Sequence, residues 1–242
     1  PSNFPIWMII VGALVAIGIG KMTFGGLGCN PFNPAIVGRC FLLVSFPAAM
    51  TSWPVAGQQM AYTDAVTGAT PLSLMKTAIK TGDVSVLQGL PDTVDMLLGN
   101  VANGYGAGTI GEVCALALIV GLIWMLWRRV ITWHIPVTIL ATVFVLSGAL
   151  HVANPVYAHP MAVVLSGGLM LGAIFMATDY VTSPMTHRGQ VIYAVGIGVL
   201  TVVIRNWGSY PEGMSFAILI MNAFTPLINF YVKPKRFGEV SR

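Results

Sequence analysis

Residues 135–152 read IPVTILATVFVLSGALHV, a run of 18 residues without a charged side chain. A run of this length and hydrophobicity predicts a helix that crosses a lipid bilayer. Six further apolar stretches are as long or nearly as long, at roughly 5–20, 34–53, 110–127, 160–178, 190–205 and 214–232. None alternates polar and apolar residues as a membrane β-strand does. The sequence therefore predicts an all-α integral membrane protein, built as a polytopic helical bundle.

The composition excludes an ordinary soluble domain. Of the 242 residues, 56% are hydrophobic and 8% are charged, with a mean hydropathy of +0.80, whereas soluble domains carry about 25% charged residues. The formal charge of +4 is not gathered into basic runs with interleaved aromatic residues, so no nucleic acid is expected as a partner. We interpret residues 1–242 as a single membrane domain and expect further helices before Pro1 in the natural protein.

Basic residues predict the orientation of the helices, because cytoplasmic loops carry an excess of Lys and Arg. Basic clusters follow the third, fifth and seventh stretches, at 128–129, 187–188 and 233–242, and the loops 153–159 and 206–213 contain no Lys or Arg. This pattern predicts a cytoplasmic C-terminus, an inner loop at 21–33 and an outer segment at 54–109. Lys76 and Lys80 are exceptions to this charge pattern, because they lie in the outer segment.

The inner loop reads GGLGCNPFNP at 25–34 and leads directly into apolar sequence. Irregular backbone at membrane depth is tolerated only where protein or a cavity satisfies it. Asn30 and Asn33 are three residues apart, so both side chains can point at one polar ligand. The alternative is that Asn33 caps the next helix, with Pro34 in its first position.

A second polar segment is the sequence DAVTGATP at 64–71, which lies in the outer segment. Two hydroxyls, a carboxylate and a glycine in so short and turn-prone a stretch can expose Thr70 to a modifying enzyme or a ligand. The alternative is a plain surface turn. A short amphipathic helix is expected at 72–79.

Charged side chains next to the apolar stretches are further candidates for function. The sequence TIGE at 109–112 is typical of a capping box, so Glu112 either caps the third helix or offers an acidic group at the membrane edge. Asp179 either caps the sixth helix or accepts hydrogen bonds from a ligand. Arg205 lies at the end of an apolar stretch, and Arg39 is expected to face a cavity or an anionic group.

Cysteines and histidines do not indicate a metal site. Cys29, Cys40 and Cys114 include no CxxC pair, which argues against zinc and iron–sulfur centres and predicts small, buried apolar side chains. The 4 histidines fit no metal-ligand spacing either. No metal and no catalytic nucleophile or base is predicted.

Four sequence blocks together resemble a known family. They are GGLGCNPFNPAIVGR at 25–39, DAVTGAT at 64–70, GTIGE at 108–112, and MATD with TSP at 176–179 and 182–184. In this order they resemble the signature blocks of the NqrB/RnfD family, and the resemblance covers essentially the whole chain. Four blocks in the right order are far more specific than any one of them.

The resemblance implies a covalent flavin. The block DAVTGAT matches the family's flavinylation sequence, which implies FMN joined to the Thr70 hydroxyl through a phosphoester by a separate flavin transferase. Asp64, Thr67, Gly68 and Ala69 would form the recognition motif around it. A phosphoester requires a hydroxyl side chain, and the small residues before Thr70 give a transferase access.

The resemblance also implies a second, non-covalent flavin, riboflavin. The hydroxyls and ring edge of riboflavin need several donors and acceptors, and our candidates are Asn30, Asn33, Asp179 and Thr182. For the passage of an ion, Glu112 and Asp179 are the acidic groups nearest the apolar stretches.

Within the family, the sequences at 50–53 and 67–72 are more similar to the Rnf branch. The implied function is a membrane electron-transfer subunit of a ferredoxin:NAD oxidoreductase complex that translocates Na⁺ or H⁺ in the cytoplasmic membrane of a bacterium or archaeon. The implied partners are the lipid bilayer, the flavin transferase, and other subunits: a flavin-bearing G-type, iron–sulfur A/E- and B-types and an NAD-binding C-type.

Two alternatives stay open at this point. An NqrB-type subunit of a Na⁺-translocating NADH:quinone reductase would carry the same flavins. A channel or transporter without a redox role is the second, because the family fold is similar to that of urea channels. The segments 25–34 and 206–226 would then be half-helix entries of an internal inverted repeat.

Overall fold

The computed structural model describes residues 1, 3–54, 68–99, 113–210 and 212–234, and its regular structure there is helical. The α-helices are Ile6–Leu14 (α1), Pro34–Ser45 (α2), Pro47–Met50 (α3), Pro71–Thr81 (α4), Thr93–Leu98 (α5), Ala115–Trp127 (α6), His134–Ala153 (α7), Pro160–Leu165 (α8), Leu169–Leu171 (α9), His187–Trp207 (α10) and Met214–Tyr231 (α11). α1 and α9 continue as the π-helical turns Val15–Ile19 and Gly172–Met176, and 3₁₀ turns lie at Met22–Phe24 and Val84–Gly89.

Each of the seven predicted stretches contains helix, and the prediction of a polytopic helical membrane protein is confirmed. Four helices in the described part of the chain are long and apolar enough to cross a membrane, namely Ile6–Phe24, His134–Ala153, His187–Trp207 and Met214–Tyr231. α2 and α6 are shorter apolar helices.

Two of the seven stretches are broken. Between α2 and α3, Phe46 leaves the helical region (φ −130°, ψ 57°) because a proline disfavours that region in the residue before it. Between α8 and α9, Ser166 is extended and Gly167 has φ +65°. The prediction of a half-helix entry at 206–226 is wrong, since α11 runs from Met214 to Tyr231 with Pro226 inside it. The inverted repeat stays a prediction.

The third helix begins later than expected. α6 starts at Ala115, and Cys114 occupies the N-cap position without a side-chain hydrogen bond. The capping box expected at 109–112 therefore does not start this helix. That sequence lies outside the described residues, and Glu112 with it.

The core lies where α7, α10 and α11 pack around the broken fifth segment. Tyr193, Ile139 and Ile197 are fully buried there. Gly198 lets α10 approach α7 closely, because an added Cβ would lie 2.7 Å from Cβ of Thr142. Small residues allow such approaches in membrane proteins, where lipid provides no hydrophobic drive for helix association.

The helix directions give the bundle two polar ends. The Asn33 end holds the starts of α2 and α10 and the π-helical turn after α9. The Thr70 end holds α3, the starts of α4 and α11, and the end of α10. α2, which begins after Asn33 and is roughly 18 Å long, connects the two ends.

Candidate functional site

Thr70 is the N-cap of α4. Its backbone is extended (φ −75°, ψ 152°), its Oγ1 accepts a hydrogen bond from the amide of Ser73 at 3.2 Å, and Pro71 occupies the first helical position. Thr and Pro in these positions favour the start of a helix. The predicted amphipathic helix is confirmed, because α4 buries Leu72, Met75 and Ala78 along one side.

A cavity of about 180 Å³ opens beside Thr70. Its lining residues are Arg39, Leu43, Met50, Thr51, Trp53, Gly68, Thr70, Ser73, Tyr210 and Glu212. Arg39 reaches the cavity from α2 and forms an ion pair with Glu212, from the loop before α11. The prediction that Arg39 faces a cavity or an anionic group is confirmed, and the structure shows both.

The other motif residues of the Thr70 end are only partly visible. Gly68 is half-buried at the cavity and Ala69 is exposed. Asp64 and Thr67 lie outside the described residues, as do residues 55–67 and 100–109 of the outer segment. Sequence reasoning missed Glu212, whose position before the seventh apolar stretch was the available signal.

Lys76 fastens α4 to the loop that follows α10. The residue is 8% exposed, and its Nζ donates hydrogen bonds to the carbonyl oxygens of Gly208 at 2.5 Å and Tyr210 at 2.8 Å. Burial lowers the pKa of the Lys76 ammonium, and the nearby charge of Lys80 lowers it further. The contact holds α4, and with it Thr70, against the loop that carries Glu212.

At the opposite end, Asn33 has two roles. Its Oδ1 caps α2 by accepting from the amide of Ala35 at 3.0 Å, so the capping prediction is confirmed. Its Nδ2 donates to the carbonyl oxygen of Met176 at 3.2 Å, at the end of the π-helical turn after α9. The same side chain thus joins the inner loop to the broken fifth segment.

Asp179 and Thr182 lie at this end as well. The Thr182 hydroxyl donates to Oδ2 of Asp179 at 3.0 Å, and the Thr182 carbonyl accepts from the hydroxyl of Thr225 at 2.9 Å. Asn30 instead bonds within its own loop, donating to the carbonyl of Phe32 at 2.9 Å. The structure therefore brings Asn33, Asp179 and Thr182 to one end, while the amide of Asn30 is turned towards its own loop.

Sequence reasoning missed a buried pair behind this cluster. The Asn222 amide is best oriented with its oxygen accepting from the backbone amide of Asn33 at 3.1 Å and its nitrogen donating to the Tyr193 hydroxyl at 2.7 Å. Asn222 and Tyr193 are both 0% exposed. An isolated Asn inside an apolar stretch was the signal, because buried polar groups in a membrane need partners.

In the described part of the chain, no three His, Cys, Asp or Glu side chains are grouped so that they could hold a metal ion. His134 and His187 stack with ring centroids 4.3 Å apart. The burial predicted for the cysteines is right for Cys40, and wrong for Cys29, which is exposed.

Comparison with known proteins agrees with the sequence blocks. The family model described as the NQR2, RnfD, RnfE family matches residues 1–238. The chain is 45% identical over 238 residues to the D subunit of the Na⁺-translocating ferredoxin:NAD⁺ oxidoreductase complex of Acetobacterium woodii, covering 98% of this chain and 69% of the relative.

Two more relatives give the same result. The D subunit of the proton-translocating ferredoxin:NAD⁺ oxidoreductase complex of Clostridium ljungdahlii is 41% identical over 245 residues, covering 98% of this chain and 70% of the relative. The D subunit of the ion-translocating oxidoreductase complex of Halorhodospira halophila is 40% identical over 258 residues, covering 99% and 71%. With the helical membrane fold and the ordered sequence blocks, these matches establish that the chain belongs to the NQR2, RnfD, RnfE family.

Proposed function

We propose that this chain is the D-type membrane subunit of an ion-translocating ferredoxin:NAD⁺ oxidoreductase complex and that it carries electrons through bound flavins. The family membership and the three related D subunits named above support the assignment to such a complex. The other subunits of the complex are then its partners in the membrane. The protein supplies the spacing, burial and charge around the cofactors, and no residue of the chain acts as nucleophile or general base.

FMN is proposed to be joined to Thr70 by a phosphoester, attached by a flavin transferase. The observation that carries this proposal is the cavity beside Thr70 with Arg39 in its wall. A phosphodiester has one negative charge, which Arg39 and the N-terminus of α4 both stabilise. Glu212 already pairs with Arg39, but a guanidinium has five donors and can serve both groups. When bound, the flavin supplies the capacity to accept and pass on electrons.

A second flavin, riboflavin, is proposed at the Asn33 end. Support comes from the donors and acceptors that Asn33, Asp179 and Thr182 bring to one place, with Asn30 in the adjoining loop. Asp179 also remains a candidate for the ion path, as does Glu112. Two flavins at opposite ends would let the subunit carry electrons across the membrane.

The proposed orientation puts Thr70 and the segment 54–109 on the outer side and the C-terminus in the cytoplasm. The loops that carry Lys and Arg support it. A reporter enzyme that is active only in the cytoplasm, fused after Lys233, should be active in whole cells. Activity of an externally active reporter at the same position would contradict the orientation.

Flavin fluorescence of the denatured protein tests the covalent attachment. Wild-type protein should keep its fluorescence in a denaturing gel, and Thr70→Ala should lose it. Thr77→Ala is the matched control, because Thr77 is an exposed threonine two turns further along α4. Mass spectrometry of the peptide that contains Thr70 should show the added mass of FMN. Fluorescence that survives in Thr70→Ala refutes the attachment site, and a colourless wild-type protein would favour a channel.

The role of Arg39 has its own test. Arg39→Gln should lower the flavinylated fraction of the protein, whereas Glu212→Gln should keep or raise it, because the carboxylate competes with the phosphate for the guanidinium. The opposite order of the two variants would contradict the proposed contact between phosphate and arginine.

The second flavin is tested through acid-released flavin, which excludes the covalent FMN. Asn33→Leu should keep the fluorescence in the gel and lose the released riboflavin. Unchanged release would refute the Asn33 end as the riboflavin site. The co-purifying proteins distinguish a ferredoxin:NAD⁺ complex from a NADH:quinone reductase.

A further inference from the structure

The break in the fifth apolar segment exposes main-chain carbonyls inside the bundle. α8 ends at Leu165, so the break lies roughly 9 Å from the start of that helix. Its end carbonyls have no further helical turn to bond with, because Ser166 is extended and Gly167 has φ +65°. Carbonyls at the ends of broken helices are the groups with which transporters coordinate Na⁺ or H⁺.

The side chain of Arg205 lies against the carbonyls at this break. From the last turn of α10, its Nη1 donates to the carbonyl of Val163 at 2.8 Å and its Nη2 to the carbonyl of Ser166 at 3.0 Å. The residue is 6% exposed. The guanidinium therefore lies where a bound cation would meet the end of the half-helix.

Lys76 adds a second positive charge beside the break. A cavity of about 30 Å³, roughly the room of one water molecule, has both Lys76 and Arg205 in its wall. The other lining residues in the described part of the chain are apolar or neutral, and none is acidic. Two positive charges at short range raise the energy of a third cation strongly. An arginine bars cations and protons from water channels in the same way.

We propose that Arg205, assisted by Lys76, is a built-in cation that seals the broken fifth segment against Na⁺ and H⁺. The seal prevents ions from leaking through the bundle at this break, so that ion movement is left to a separate, controlled route. This proposal does not depend on either flavin.

The test is ion leak without electron transfer. The full-length protein, with the subunits that co-purify with it, is reconstituted into liposomes without an electron donor, and a potassium diffusion potential draws cations inwards. Uptake of ²²Na⁺ and acidification of an internal dye report Na⁺ and H⁺. Wild-type liposomes should leak as slowly as protein-free ones.

Variants that remove the positive charge of Arg205 should let ions leak through the break. Arg205→Gln and Arg205→Ser should raise the leak at least roughly tenfold, because one unit of charge is removed from a site of low dielectric. Liposomes with Arg205→Lys should leak as slowly as wild-type liposomes. Arg188→Gln is the matched control, since Arg188 is exposed in the first turn of the same helix. Millimolar guanidinium should slow the leak of Arg205→Ser by refilling the place between the carbonyls.

Two outcomes overturn the proposal. One is a folded, membrane-inserted Arg205→Gln or Arg205→Ser protein that stays as tight as wild type. The other outcome applies if neither Arg205 variant accumulates in the membrane, and it compares two lysine variants. Liposomes with Lys76→Met should then leak more than liposomes with the control Lys80→Met, which removes an exposed lysine of the same helix. Equal leaks from these two variants would refute the seal.

Discussion

Gly167→Ala should destabilise the protein in two ways that can be separated. Gly167 has φ +65°, a conformation that alanine adopts at a cost of about 1–2 kcal/mol. An added Cβ would also lie 2.4 Å from Cδ1 of Leu72 and 3.3 Å from Nη2 of Arg205. Forcing an extra methyl group into a filled space costs a further ~1–3 kcal/mol. The expected loss of stability is therefore about 2–5 kcal/mol.

Gly82→Ala is the matched control for the conformational part. Gly82 has φ +72°, and nothing lies within 4 Å of an added Cβ, so its substitution should cost only about 1–2 kcal/mol. Leu72→Ala removes the atom nearest to the new methyl group. In that background, Gly167→Ala should lose its packing component, which predicts a coupling of ~1–3 kcal/mol between the two sites.

The assay is thermal unfolding of the single variants, the double variant and the wild type in one detergent, with a scale of roughly 2–4 °C per kcal/mol for a chain of this size. Gly167→Ala should lower the apparent Tm more than Gly82→Ala does. The reasoning is refuted if the two glycines behave alike, or if Leu72→Ala leaves the effect of Gly167→Ala unchanged.

Three further predictions concern other contacts. Tyr193→Phe should cost ~1–3 kcal/mol of stability in thermal unfolding, because it removes the hydroxyl partner of buried Asn222, whereas Tyr231→Phe, at a residue 75% exposed, should change Tm little. Burial lowers the pKa of Lys76 in the folded chain. At pH values between this lowered pKa and the ordinary lysine pKa, the unfolded chain therefore binds more protons than the folded chain. The stability of the protein should rise with pH over that range. Lys76→Met should remove that part of the rise in Tm as the pH increases towards the ordinary lysine pKa of about 10. In protein made without the flavin transferase, Thr70→Ala should cost about 1 kcal/mol through loss of the N-cap, and Thr70→Ser should cost much less.

Local sequence patterns predicted much of the fold because they depend on neighbours along the chain. Long uncharged runs without alternating polarity become helices in a membrane, since intrahelical hydrogen bonds satisfy their backbone there. The Asn33 cap and the amphipathic helix α4 follow from residue types at fixed spacing in the same way. The break at 166–168 did not, because small residues in an apolar run are equally typical of close helix packing.

Sequence alone determined the number and type of apolar segments, the cap at Asn33, and the ordered motifs of the family. Only the tertiary structure decided which polar side chains meet. Arg39 pairs with Glu212, 173 positions away, and Arg205 fills a break that lies 39 positions before it. Segments that are apolar almost throughout give little indication of which helices are neighbours. A charge buried among them is tolerated only where the packed structure provides a partner.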